Sequence, residues 1–115
     1  MKKCYYLKTC STCQRILKEW DLNESFTIQD IKSEPMTAKQ VDQMIAMAGS
    51  AEALFSRKAM KYRSMGLNEK QLTEKDYRQL IIDEYTFLKR PVLINENKIF
   101  IGNSKKVVAE AKSSL

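Results

Sequence analysis

Two cysteines separated by two polar residues, Cys10-Ser11-Thr12-Cys13, are the part of this sequence best suited to chemistry. Upstream, Cys4 to Lys8 has strand character. Downstream, Cys13, Ile16, Leu17 and Trp20 recur at i, i+3, i+4 and i+7, which is one face of a helix. A strand that hands a thiol to the start of a helix favours the thiolate, because the first helical turn has unpaired backbone N–H groups and a positive macrodipole end. In such surroundings a cysteine pKa falls from about 8.5 to roughly 3.5–7.5. Cys10, at the outer edge of the loop, is the candidate nucleophile. Cys13, one turn inside on the apolar face, is the candidate resolving thiol. Cys4 precedes two tyrosines in the strand and reads as a small buried hydrophobe without a role. Lys8 and Arg15 bracket the loop; they would lower the thiol pKa or simply be solvated charges.

The chain of 115 residues suits a single domain, 1–115, able to fold without structural metal or disulfides. It has no histidine, and its 3 cysteines do not make a four-ligand zinc site without an acidic partner, so no bound metal or cofactor is expected. The apolar run after Met1-Lys2-Lys3 is too short for a signal peptide, and no later stretch approaches a membrane span. The expectation is a cytoplasmic protein with no membrane partner, whose C-x-x-C serves redox chemistry rather than stapling the fold. The net charge of +6 is that of a soluble basic surface and also suits an anionic substrate or acidic partner. The basic run Arg57 to Arg63 holds only Tyr62 as an interleaved aromatic, so direct nucleic-acid binding is not expected.

The elements that must position the thiols follow in order. The first helix is expected over Thr12 to Asp21, with Asn23 placed to cap it, and a second strand over Phe26 to Ile31. Strand, helix and strand within about thirty residues make a βαβ unit with a parallel pair. From Pro35 to Lys89 the pattern is helical. Thr37 with Gln40 and Thr73 with Asp76 form capping boxes, Gly49 is a left-handed terminator, and Ser50 caps a short helix over Ala51 to Phe55. Val41, Met44, Ile45 and Ala48 supply one buried stripe, and Tyr77, Leu80, Ile81 and Tyr85 another. Val92–Ile94 and Ile99–Ile101 flank a turn and read as a hairpin. Ser104 caps a last helix that turns Val107, Val108, Ala111 and Leu115 inward.

A βαβ half and a ββα half, with C-x-x-C after the first strand and a proline opening the third, resembles the thioredoxin fold. With a helical insertion between the halves, about 36–89, the chain resembles the arsenate reductase (ArsC) family, which includes the Spx transcriptional regulators and ArsC-like thiol reductases. The likeness rests on Cys10-Ser11-Thr12-Cys13, Ser33-Glu34-Pro35, Gly49 with Arg57, and Leu88-Lys89-Arg90-Pro91. It implies that Cys10 attacks the substrate, that Arg57 and Arg90 bind an oxyanion such as arsenate, and that Pro91 is a cis-proline beside the active cysteine. Guanidinium groups suit that task because they pair bidentately with oxyanions. The family's third arginine would fall in Ile99-Phe100-Ile101-Gly102, where this chain has none. Cys13 stands where glutathione-dependent members usually carry serine, so a Cys10–Cys13 disulfide is open to this chain.

The resemblance thus implies a thiol-dependent reductase of an oxyanion or a disulfide. Cys13, glutathione with glutaredoxin, or thioredoxin would regenerate it. The alternative is an Spx-like redox-sensing regulator that docks on the RNA polymerase α subunit, with the same disulfide as its switch.

Overall fold

The computed structural model describes residues 1–115. The chain folds as two compact units. One combines Met1–Pro35 with Arg90–Leu115, and the other is Met36–Lys89.

The first unit carries the thiols. Strand β1 (Lys2–Tyr6) leads into helix α1 (Ser11–Trp20) and strand β2 (Thr27–Asp30). After the second unit the chain returns as β3 (Val92–Asn95), β4 (Lys98–Ile101) and the last helix of the chain, Lys105–Ser113. The sheet order is β2-β1-β3-β4, with β1 parallel to β2 and antiparallel to β3, and β3 antiparallel to β4. This is the thioredoxin-like topology, βαβ followed by ββα. Since β1 and β4 run in the same sense, the helices that follow them both begin at the same end of the sheet. That end also receives the start of β3, where Val92 pairs with Tyr5 and with Ile101.

The core on one side of this sheet is built from Cys4 and Leu93 on the strands, Ile16 and Trp20 on α1, Phe26, and Val108 and Ala111 on the last helix. The i, i+3, i+7 face read from the sequence is the one that is buried: Cys13, Ile16 and Trp20. The Trp20 indole N–H donates to the Val108 carbonyl at 3.1 Å, so the largest side chain of α1 joins the two helices without stranding its polar atom. Asp21 ends α1 in the left-handed region at φ 51°, and its N–H donates to the Leu17 carbonyl.

Several boundaries differ from the sequence expectation. Strand β1 begins and ends two residues earlier than Cys4–Lys8, because Lys2 and Lys3 pair with Asn95 and Ile94 and the chain turns after Leu7. Asn23 does not cap α1; its side-chain oxygen accepts from the Ser25 N–H at 2.9 Å and shapes the entry to β2. In edge strand β2, Ile28 is 46% exposed while Gln29 is buried, its amide donating to the Glu34 carbonyl at 2.9 Å. Leu115 lies beyond the last helix and is exposed.

The second unit is helical: α2 (Ala38–Ala48), α3 (Met60–Ser64) and α4 (Glu74–Asp83), joined through short 3₁₀ turns at Glu52–Leu54, Leu67–Glu69 and Tyr85–Phe87. Lys105–Ser113 is therefore α5. Both capping boxes form, Thr37 with Gln40 and Thr73 with Asp76. Gly49 adopts φ 93° and ends α2, a conformation in which any Cβ is strained. The Ser50 hydroxyl accepts from the Ala53 N–H at 3.1 Å. The Glu74 carboxylate accepts from the N–H groups of Ala51 and Glu52, which fastens the start of that turn to α4. Phe55 forms the centre of an aromatic group with Tyr62, Tyr77 and Phe87. Arg78 pairs bidentately with Asp42 at 2.6 and 3.0 Å, tying α4 to α2.

Truncating Trp20 to alanine should destabilise the protein by about 3–5 kcal/mol, the usual cost of deleting a large buried aromatic. A urea titration followed by far-ultraviolet circular dichroism checks this; a loss under about 1 kcal/mol would mean that α1 and α5 do not depend on this contact.

Candidate functional site

The loop between β1 and α1 is held at both ends. Ile31 N–H donates to the Tyr6 carbonyl, and Cys10 N–H closes a turn onto the Leu7 carbonyl at 3.0 Å. The Asp30 carboxylate at the end of β2 accepts from the Lys8 N–H at 3.1 Å and from the Ser33 hydroxyl at 2.9 Å. These bonds, the Lys8 N–H first, hold the Asp30 carboxyl below its ordinary pKa. The Gln14 side chain reaches back from α1 to the Lys8 carbonyl. Sequence reasoning passed over Asp30 and Gln14. The signal for Asp30 was available: in a parallel βαβ unit the end of β2 lies beside the end of β1, and an Asx residue there can bind free N–H groups.

Cys10 is the N-cap residue of α1, with extended backbone, and Cys13 is its third helical residue. Cys10 is partly exposed and Cys13 is fully buried; both are free thiols. The neutral Cys10 side chain closes no capping hydrogen bond, yet the anion is well supplied. Partial burial opposes charge on Cys10, but the Cys13 N–H, the Cys13 thiol, the Thr12 N–H and the Arg90 charge outweigh it, so its pKa is lowered. Cys13 goes the other way, to about 11, mainly through burial, with the Cys10 charge and the shared thiol hydrogen bond adding to it. The thiols therefore divide the work. Cys10 is the more readily ionised of the two, and Cys13, whose pKa is raised, is the hydrogen-bond donor to it.

Arg90 and Pro91 enter β3 at the same end of the sheet, joined by a cis peptide bond. The Pro91 carbonyl accepts from the Gly102 N–H at 2.9 Å, which draws the junction of β4 and α5 to the site. The charge of Arg90 favours the thiolate form of both cysteines. Cys4 lies in the core at no exposure, and burial pushes its thiol up to about 12. Arg57 belongs to the second unit. There its guanidinium donates to Glu52 at 2.6 Å and to the Tyr77 hydroxyl at 2.9 Å and lies over the Tyr77 ring. The first unit thus brings together Cys10, Cys13, Arg90 and Pro91. Arg15 is exposed on α1 and Lys8 in the loop. No cluster of three or more histidine, cysteine or acidic side chains is arranged to hold a metal. No helix is long and apolar enough to cross a membrane.

The family model of ArsC matches residues 5–111. Among curated proteins, the chain is 26% identical over 106 residues to the global transcriptional regulator Spx 1 of Bacillus cereus, covering 89% of this chain and 79% of that one. Among solved structures, a protein from Staphylococcus aureus COL is 27% identical, with a TM-score of 0.73 over 96% of this chain and 97% of that one. An arsenate reductase from Vibrio cholerae shares the fold at 18% identity, with a TM-score of 0.74 over 95% of each chain.

Alkylation by iodoacetamide across pH tests the electrostatics. Only the thiolate reacts, so a lowered pKa means that Cys10 reaches its maximum rate at a lower pH than free cysteine does. Arg90→Gln removes a cation that favours the anion. The midpoint should rise and the rate at pH 7 should fall several-fold. A midpoint that stays in place would remove Arg90 from the site, and labelling of Cys4 in the native protein would contradict its burial.

Proposed function

The chain belongs to the ArsC family, and within it we propose that this protein is a thiol-dependent reductase with Cys10 as nucleophile and Cys13 as resolving thiol. The observation that carries this reading is the opposed tuning of two thiols one helical turn apart. Cys10, at the N-cap, is biased to the thiolate, while buried Cys13 holds its proton against it.

The chemistry follows from that asymmetry. Cys10 thiolate attacks one sulfur of an oxidised substrate and forms a mixed disulfide, and the other substrate sulfur leaves as a thiolate. Once Cys10 is bound covalently, its negative charge is gone, and with it the main partner that kept Cys13 protonated besides burial. Cys13 then gives its proton to the substrate thiolate that left first, attacks the Cys10 sulfur and expels the second substrate thiolate, which takes its proton from water. The products are a reduced substrate and a Cys10–Cys13 disulfide, which an external dithiol or glutathione returns to two thiols. Thioredoxin or glutaredoxin is the class of protein that supplies those electrons. Arg90 favours the leaving thiolate as well as the attacking one.

Of the two substrate classes, a disulfide is better supported than arsenate. Oxyanion binding would draw on Arg57, which is engaged by Glu52 and Tyr77. The stretch Ile99 to Gly102 adds no further arginine. A resolving cysteine in the first helical turn also suits disulfide exchange.

A second reading is favoured by the Bacillus relatives, which are global transcriptional regulators. In it the same Cys10–Cys13 disulfide is a switch on an RNA polymerase-binding module rather than an intermediate.

Cys10→Ser should abolish reduction of a disulfide substrate, with loss of at least about a thousandfold in kcat/KM, while the circular dichroism spectrum is retained. Cys13→Ser should still form the mixed disulfide, trapped and visible by mass spectrometry, and should require glutathione for turnover. Full turnover by Cys10→Ser would end the reductase reading. Capture of RNA polymerase by the oxidised protein, with no turnover of any disulfide or of arsenate, would establish the regulator in its place.

A further inference from the structure

Helices α1 and α5 start together at the thiol end of the sheet, and between them runs a groove of about 560 Å³. Its cations are Arg15 on α1 and Lys105 and Lys112 on α5; Glu19 is its one acidic lining residue, and Val108 and Ala109 contribute apolar surface. Arg15 and Lys105 take part in no intramolecular ion pair. Lys112 donates to the Glu19 backbone carbonyl, which uses one of its three ammonium hydrogens. Lys106 and Glu110 neutralise each other along α5 at 4.0 Å.

We propose that this groove receives the acidic polypeptide that flanks the disulfide attacked by Cys10, so that the substrate is an acidic protein or peptide. The inference rests on the reductase reading and adds its substrate class. Three observations carry it. Position comes first: the groove runs between α1 and α5, and at one end it is lined by Asn103 and Lys105, which directly follow Gly102, whose N–H is bound to the Pro91 carbonyl at the thiol end of the sheet. Size is the second: a space of several hundred cubic ångströms suits a peptide segment and far exceeds a tetrahedral oxyanion. Spacing is the third. Lys105 and Lys112 are seven residues apart on one helix, about 10.5 Å at 1.5 Å per residue. An extended peptide covers that distance in about three residues. Side chains alternate faces along such a peptide, so two carboxylates four positions apart share a face at about 13 Å, within reach of both long ammonium side chains, with the side chain midway between them over Val108 and Ala109.

The electron count is that of the reductase. The substrate disulfide gains two electrons and two protons as the Cys10–Cys13 pair is oxidised, and an external dithiol restores the pair. The groove changes none of these steps; it holds the substrate and raises its local concentration.

The test uses the full chain and two readouts. Fluorescence anisotropy measures binding of a labelled peptide bearing two glutamates four positions apart, beside its alanine and lysine counterparts. Turnover compares an acidic peptide disulfide with neutral 2-hydroxyethyl disulfide. The double variant Lys105→Gln/Lys112→Gln should bind the acidic peptide about tenfold more weakly, the scale expected for two lost exposed charge pairs. Its KM for the acidic disulfide should rise by a similar factor, with kcat and turnover of the neutral disulfide unchanged. Raising salt from 0.05 to 0.5 M should weaken wild-type binding and leave the variant nearly unaffected. Equal affinity for the three peptides, or an acidic-peptide affinity that ignores the double substitution, would overturn the groove. Charge-selective binding without turnover of either disulfide would leave the groove in place and overturn the reductase reading instead.

Discussion

The fold of the first unit places the sulfur of Cys10 where a helix begins, and most of what surrounds that sulfur serves to keep it there. A parallel βαβ unit forces the chain to leave β1 and reverse into α1 within four residues, Leu7 to Cys10. The turn closed by Cys10 N–H and Leu7 carbonyl, and the Lys8 N–H bound to Asp30, fix that reversal. Cys10 then has no choice but to be the N-cap, facing amide N–H groups that no carbonyl of the helix can satisfy. In most helices a Ser, Thr, Asp or Asn occupies that place because its oxygen accepts those bonds. A thiol is a poor acceptor and a thiolate a good one. A weak cap thus leaves N–H groups that favour the anion of Cys10, which is the direction in which its pKa is shifted.

The same geometry separates the two cysteines. Three residues along α1 amount to one turn, which moves Cys13 from the mouth of the loop to the face packed on the sheet. Burial there raises its pKa by the ordinary cost of charging a group away from water. Its proton then has a use: it is donated to Cys10, so the cost imposed on one thiol stabilises the anion of the other. This coupling reverses when Cys10 forms a covalent bond. In the proposed cycle Cys13 would thus be restrained before substrate binds and released once the mixed disulfide forms.

These features were legible in the sequence because they are local. The C-x-x-C spacing, the apolar face of α1 and the capping boxes at Thr37 and Thr73 each lie within one helical turn or a few. The sheet order was legible at one remove, from the alternation of strand and helix patterns. What was missed depends on pairing across the chain. Lys2 and Lys3 enter β1 only because Asn95 and Ile94 are there to receive them. Gln29 is buried in an edge strand because the Glu34 carbonyl accepts from its amide, whereas composition would have buried Ile28. Asp30 went unremarked because its contact to Lys8 spans 22 residues. Arg57 shows the converse. Family likeness named it for oxyanion binding, while its own neighbours Glu52 and Tyr77 give its guanidinium local partners.

Whether such a centre is an enzyme or a switch is a question of rates, since the reduced and oxidised states are the same in both. A switch must keep its disulfide until a partner has read it; an enzyme must surrender it quickly. Lability depends on how well a thiolate leaves, and a thiol with a low pKa leaves faster. Cys10 is stabilised as the anion by amides, by Cys13 and by Arg90, so a Cys10–Cys13 disulfide opened at Cys13 expels a good leaving group. The outer sulfur is, however, the one that a reductant can reach, since Cys13 is buried. Attack at Cys10 must expel the poorer leaving group, Cys13, whose charge the core resists. In such a disulfide burial of Cys13 would slow the return to the reduced state, while the Leu7 backbone hydrogen bond and, less strongly, the Arg90 charge favour the Cys13 anion and oppose that brake. The balance between burial and these two opposing influences on one sulfur would set how long an oxidised form persists.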